Sequence, residues 1–142
     1  MTSSSDTVLL VIDAQESFRR RADDWAATAN PAVIDNIALL VAHAREGLLQ
    51  RDGIPRLVVC GIRTEQCCET TTRVAADFGF DVEFITDATT TSSIPAADGL
   101  TAVSGEDIMR RTESILSARG FATISSTRER VRATADHALV SS

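Results

Sequence analysis

The chain has 142 residues, 44% apolar and 24% charged, and its 20 acidic against 14 basic side chains give a net charge of −6. Those proportions predict one soluble domain spanning 1–142, long enough to bury a core without disulfide or metal staples. They exclude a mini-protein scaffold, and the absence of any apolar run near the ~20 residues of a membrane span excludes a membrane partner. The opening residues lack the basic and apolar regions of a signal peptide, so a cytoplasmic location is expected. Every basic residue is Arg, which removes lysine chemistry, and no basic stretch exceeds Arg19-Arg20-Arg21. Such a chain offers little to a phosphate backbone, so nucleic acid is not an expected partner.

Thr7–Ile12 is a continuous aliphatic run ending at Asp13 and predicts a strand buried on both faces. Asn30 and Pro31 then supply an N-cap and a first-turn proline for an amphipathic helix over about 31–46, with apolar residues recurring at helical spacing at Val33, Ile37, Leu40, Val41, Ala44 and Leu48. Gly47 and Asp52-Gly53-Ile54-Pro55 interrupt the chain before a second strand, 56–60. Thr64 is expected to cap a helix whose inner face carries Cys67, Thr71, Val74, Ala75 and Phe78, closing at Gly79. A third strand is expected over 80–86, followed by a Thr-, Ser- and Ala-rich loop over 87–99. Ser104 and Asp107 resemble a capping box for a helix to about Arg119, with Ile108, Ile115 and Leu116 inward and Gly120 as its stop. A fourth strand, 121–125, precedes a short helix capped by Thr127. The alternation predicts an α/β fold with a doubly wound parallel sheet and helices on both faces.

The three cysteines, Cys60, Cys67 and Cys68, form an odd, clustered set that argues for reduced thiols rather than a disulfide framework. His43 and His137 lie far apart, and no zinc-type ligand spacing occurs, so no metal is expected. Ligands of a parallel sheet bind at the carboxyl ends of its strands, and two residues fall there by spacing. Asp13 ends the first strand, and Cys67 lies in the first turn of the helix after the second. The positive end of that helix favours a thiolate at Cys67, and Asp13 on the adjacent strand can act as general base. The plainer reading is Asp13 as a turn residue and Cys60 and Cys68 as packing.

Val11-Ile12-Asp13-Ala14-Gln15-Glu16-Ser17-Phe18 and Val59-Cys60-Gly61-Ile62-Arg63-Thr64-Glu65-Gln66-Cys67 together resemble the base and nucleophile motifs of the isochorismatase-like cysteine hydrolases. This is the nicotinamidase, carbamoylsarcosine amidase and isochorismatase group, and the run from Cys68 to Thr89 and the stretch 112–128 are similar to it as well. The resemblance implies Cys67 as nucleophile, Asp13 as base, a cis peptide between Ile62 and Arg63, and an oxyanion hole from the N–H groups of Arg63 and Cys67. It implies that Gln15 and Phe18 line the pocket, that a small molecule with an amide or related C–N bond is the substrate, and that the protein is a homo-oligomer. No cofactor is implied.

The chain departs from the family pattern in two respects. The family's lysine has no counterpart, which favours the alternative of a catalytically silent oligomer subunit or binding module. The interval between the two motifs also lacks the family's two further strands. A missing segment is therefore expected at about 43–48, with the first strand left at the sheet edge.

Overall fold

The computed structural model describes residues 7–14, 20, 26–47 and 56–140, with the backbone alone for 42–47 and 134–140. Gln15, Phe18 and residues 48–55 lie outside the described residues. In chain order the elements are β1 (Thr7–Ile12), α1 (Val33–Gly47), β2 (Arg56–Ile62), a π-helical turn (Thr64–Cys68), α2 (Glu69–Asp77), β3 (Asp81–Thr90), β4 (Ile94–Pro95), β5 (Ala102–Val103), α3 (Gly105–Ala118), β6 (Thr123–Ser125) and α4 (Thr127–Val140).

The apolar runs of β1, β2 and β3 form a parallel four-stranded sheet with β6, in the order β1-β2-β3-β6. β1 thus stands at one edge of the described sheet, as the short interval between the motifs predicts. All six of its residues are only half-buried, not buried on both faces as the aliphatic run by itself predicts, because an edge strand has no neighbour on one side. Alternation along β2 feeds both faces. Val58 and Cys60 pack with Val33, Ile37 and Leu40 of α1 on one side, whereas Val59 packs with Cys68, Ala75, Phe84 and Leu116 on the other. The layers are therefore helix, sheet, helix, and the central strands are covered beyond their exposed first residues, Arg56 and Asp81.

Several element boundaries differ from those the sequence predicts, each for a local reason. α1 begins at Val33 because the Asn30 side chain is engaged elsewhere, donating through Nδ2 to the carbonyls of Asp87 and Thr89, both at 2.8 Å. α1 is continuous to Gly47, and Leu48, the last residue of the 43–48 window, lies outside the described residues. β3 extends to Thr90 rather than ending at Thr86, because a bulge lets it continue: Val59 pairs with Phe84, but Gly61 pairs with Thr89. The loop expected over 87–99 instead holds the end of β3 and, with residues 102–103, a small antiparallel β4–β5 pair. α4 runs 14 residues and is capped by Ser126, whose Oγ accepts from the Glu129 N–H at 3.2 Å while Glu129 accepts back from the Ser126 N–H at 2.8 Å. Thr127 turns its hydroxyl to Asp87 instead. Around α3 the cap holds, Ser104 accepting from the Asp107 N–H at 3.0 Å, and Ile108 and Leu116 are buried as expected, whereas Ile115 is only half-buried and Thr112 takes a place on the inner face.

One glycine sets the spacing of the two site-bearing strands. Gly61 has φ +132° and is paired with Ile12, and a Cβ built on it would stand 2.0 Å from the Ile12 carbonyl oxygen. Both the backbone conformation and the contact forbid a side chain there. Gly61→Ala should lower the unfolding free energy by about 3 kcal/mol or more, read from the midpoint of a urea titration.

Candidate active site

β1 and β2 run parallel in register, with Ile12 beside Gly61, so the residue after each strand emerges at the same carboxyl edge. Asp13 is the first residue beyond β1. It is exposed and adopts the left-handed region at φ 47°, which Asp tolerates better than most residues and which marks a constrained position. Beyond β2 the Ile62–Arg63 peptide is cis, and the chain enters the π-helical turn at once.

That turn decides where the cysteines face. The N–H of Cys68 donates to the Arg63 carbonyl at 3.2 Å, and the Gln66 N–H donates to the same oxygen at 3.3 Å. Cys68 has ordinary helical dihedrals, so the turn passes directly into α2 and Cys67 lies in the first turn of a continuous helix. A strict 3.6-residue period starting at Thr64 predicts a core face of Cys67, Thr71, Val74, Ala75 and Phe78. The wide turn carries one extra residue, which rotates the helix face by about 100°. The buried set is therefore Cys68, Glu69, Thr72 and Ala75, while Val74 and Phe78 are 47% and 79% exposed. Cys67 is exposed, and Cys60 and Cys68 are buried.

Thr64 is not a helix cap: the cap position is Arg63, without a side-chain bond. The Thr64 hydroxyl instead donates to Thr89 Oγ1 at 2.9 Å, and Thr89 donates to the Thr86 carbonyl at 2.9 Å. This fully buried hydroxyl relay ties the turn to the β3 bulge. Asp87 accepts at Oδ1 from the N–H and hydroxyl of Thr127, both at 2.8 Å, and so anchors α4.

Electrostatics separate the three thiols. Burial pushes the Cys60 thiol up to about 12. Burial also raises the Cys68 thiol, reinforced by the neighbouring charges of Cys60, Cys67, Glu65 and Asp13. Both are inert thiols at neutral pH, since the thiolate is the reactive form.

A feature that sequence spacing does not reveal holds this region to the next layer. The Glu69 carboxylate, only 7% exposed, accepts from Arg73 Nε and Nη2 at 3.0 and 2.8 Å, from Arg111 Nη1 at 2.5 Å and from Thr112 Oγ1 at 3.1 Å. Arg73 also covers the Phe121 ring, 4.8 Å from its centroid. The Glu69–Arg73 pair is legible as an i,i+4 spacing, whereas Arg111 arrives from a distant helix. Among the described residues no group of three or more His, Cys, Asp or Glu side chains is set to hold a metal ion. No helix among them is long and apolar enough to cross a membrane.

Residues 46–103, which contain the β2–turn–α2–β3 unit, match the isochorismatase domain. The chain is isochorismatase-like in sequence over that unit and in its overall fold. Nicotinamidase 3 of Arabidopsis thaliana is 49% identical over 43 residues, covering 30% of this chain and 22% of that protein. The isochorismatase family protein YddQ of Bacillus subtilis (strain 168), which is uncharacterized, is 35% identical over 52 residues, 37% of this chain and 29% of that protein. The matches thus span less than a third of either relative. Among solved structures, an isochorismatase-family hydrolase from Chromobacterium violaceum superposes with a TM-score of 0.77 at 16% identity, covering 96% of each chain. A cysteine hydrolase from Pseudomonas syringae pv. phaseolicola does so with a TM-score of 0.73 at 18% identity, covering 89% of this chain and 91% of that one. At these identities the superpositions establish the shared α/β fold.

Replacing Glu69 by Ala leaves two arginines that are 33% and 53% exposed, so solvent compensates part of the loss. Glu69→Ala should therefore destabilise by about 1–3 kcal/mol, below the cost of orphaning a fully buried charge. Thermal unfolding followed by circular dichroism reads this directly.

Proposed function

We propose that the chain is a cysteine hydrolase that cleaves an amide or related C–N bond of a small molecule. Cys67 is the nucleophile, Asp13 the general base, and the N–H groups of Arg63 and Cys67 form the oxyanion hole. Gln15 and Phe18 line the substrate pocket, on the strength of the motif resemblance. The observation that carries the proposal is the rotation at the π-helical turn, which leaves Cys67 exposed beyond the carboxyl end of β2, on the sheet edge where β1 also ends, while both other cysteines are buried.

In this mechanism Asp13 takes the Cys67 thiol proton as sulfur attacks the carbonyl carbon. A C–S bond forms, and the carbonyl oxygen becomes an oxyanion held by the two N–H groups. Collapse breaks the C–N bond, and protonated Asp13 returns its proton to the leaving nitrogen. Asp13 then removes a proton from water, which attacks the thioester and releases a carboxylic acid and the free thiol.

The resemblance extends the proposal to a homo-oligomeric, cytoplasmic protein without cofactor or metal, a single domain lacking a segment near 43–48. The second reading, a silent subunit or binding module, is favoured by one observation: the chain contains no lysine to stand beside Asp13 and Cys67.

Two pairs of variants separate the readings. In an assay of ammonia release from a panel of small amides, nicotinamide included, Cys67→Ser should abolish turnover and Cys68→Ser should retain most of it. Asp13→Asn should cost on the order of 10²- to 10⁴-fold in rate, and Asp87→Asn far less, since Asp87 anchors α4. Equal losses within either pair refute the assignment of that pair.

A further inference from the structure

The remaining charged groups around the turn are Glu65 and Arg63, and they differ in access. Glu65 buries both carboxylate oxygens, and among the described residues neither has a hydrogen-bond partner. Arg63 is only half-buried, and its side chain leaves the backbone at the cap position just before the cysteine turn. A guanidinium has five N–H donors. Among the described residues Arg63 uses one of them, Nη1, which donates to Ser92 Oγ at 3.0 Å, and no carboxylate pairs with it. By contrast, the guanidiniums of Arg56, Arg73, Arg110, Arg111 and Arg130 each pair with an acidic side chain.

The seat of Arg63 is held rigidly. Ser92 follows the end of β3, and Thr91 beside it accepts from the Ala29 N–H at 2.8 Å. Gly105 at the start of α3 is packed against the same segment, where an added Cβ would lie 3.3 Å from the Thr91 carbonyl oxygen. The Ser92 hydroxyl therefore fixes one arm of a guanidinium at the carboxyl edge of the sheet, four residues before Cys67, and the rest of the fork has no anion. A planar fork oriented in this way suits a carboxylate, which accepts two parallel N–H bonds.

We infer that the Arg63 side chain is the anion-recognition element of the Cys67 site, so that the substrate carries a carboxylate or similarly anionic group near its scissile C–N bond. This rests on the cysteine-hydrolase reading and narrows its substrate class. It is distinct from the role given to the Arg63 backbone N–H, which any residue at that position retains.

The test compares alkylation of Cys67 by iodoacetate and iodoacetamide, which form the same C–S bond and expel the same iodide but differ in charge. Site-resolved mass spectrometry gives the rate ratio of iodoacetate to iodoacetamide for the folded protein and for the same cysteine in the urea-unfolded chain. The ratio should be about tenfold higher in the folded protein and should fall to the unfolded value in Arg63→Gln. Sodium propionate should slow the iodoacetate reaction of the folded wild-type protein more than sodium chloride at equal ionic strength. Rapid iodoacetamide labelling with an unchanged ratio overturns the inference while leaving the hydrolase reading intact. Slow labelling of Cys67 by both reagents overturns both. If Arg63→Gln does not fold, propionate competition decides: selective protection supports the inference, and its absence overturns it.

Discussion

The hydrogen bond from the Cys68 N–H to the Arg63 carbonyl, closing at 3.2 Å over a π-helical turn, determines which of two adjacent cysteines meets the core. A turn closed one residue earlier would direct Cys67 toward Phe84 and Leu116, where burial would raise its thiol as it does Cys68. With the wider closure, Cys68 fills that apolar space and Cys67 stands at the carboxyl edge of the sheet. The chemistry proposed for the site follows from this backbone choice, since the two side chains are identical and only their environments differ.

The turn is sustained from three directions. Gly61 brings β2 against the Ile12 carbonyl, which sets the distance between the strands that end at Asp13 and at the turn. The Thr64–Thr89 hydroxyl pair joins the turn to the β3 bulge, and Glu69 ties the start of α2 to α3 through Arg111 and Thr112. These polar contacts are buried or half-buried and mutually satisfied, which is the condition under which such networks stiffen a site instead of destabilising it. Asp87 extends the same scaffold to α4.

Much of this was legible in the sequence, and the divisions are physical. Continuous aliphatic runs identify β1 and β2, and alternation over 80–86 identifies the start of β3. The position of Asp13 after one strand and of Cys67 after the next follows from spacing, as does the Ser104 cap. The face of α2 is misread, because a 3.6-residue period does not anticipate an extra residue in the first turn; the shift moves Cys67, Val74 and Phe78 outward together. Contacts between residues remote in sequence, such as Arg63 with Ser92, Asn30 with the β3 carbonyls and Glu69 with Arg111, carry no local periodicity by which to find them. The end of β3 is misread for a related reason, since a bulge depends on the partner strand.

The proposed hydrolase chemistry requires that the fold activate Cys67 and not merely expose it. The direct measurement is the iodoacetamide alkylation rate of Cys67 at about pH 6.5, below the usual thiol range, in the folded protein and in the urea-unfolded chain. Activation predicts that folded Cys67 reacts about tenfold or more faster than the same residue unfolded, with Cys60 and Cys68 unlabelled on that timescale. A folded rate equal to or below the unfolded one would contradict the account, leaving Cys67 an exposed but ordinary thiol.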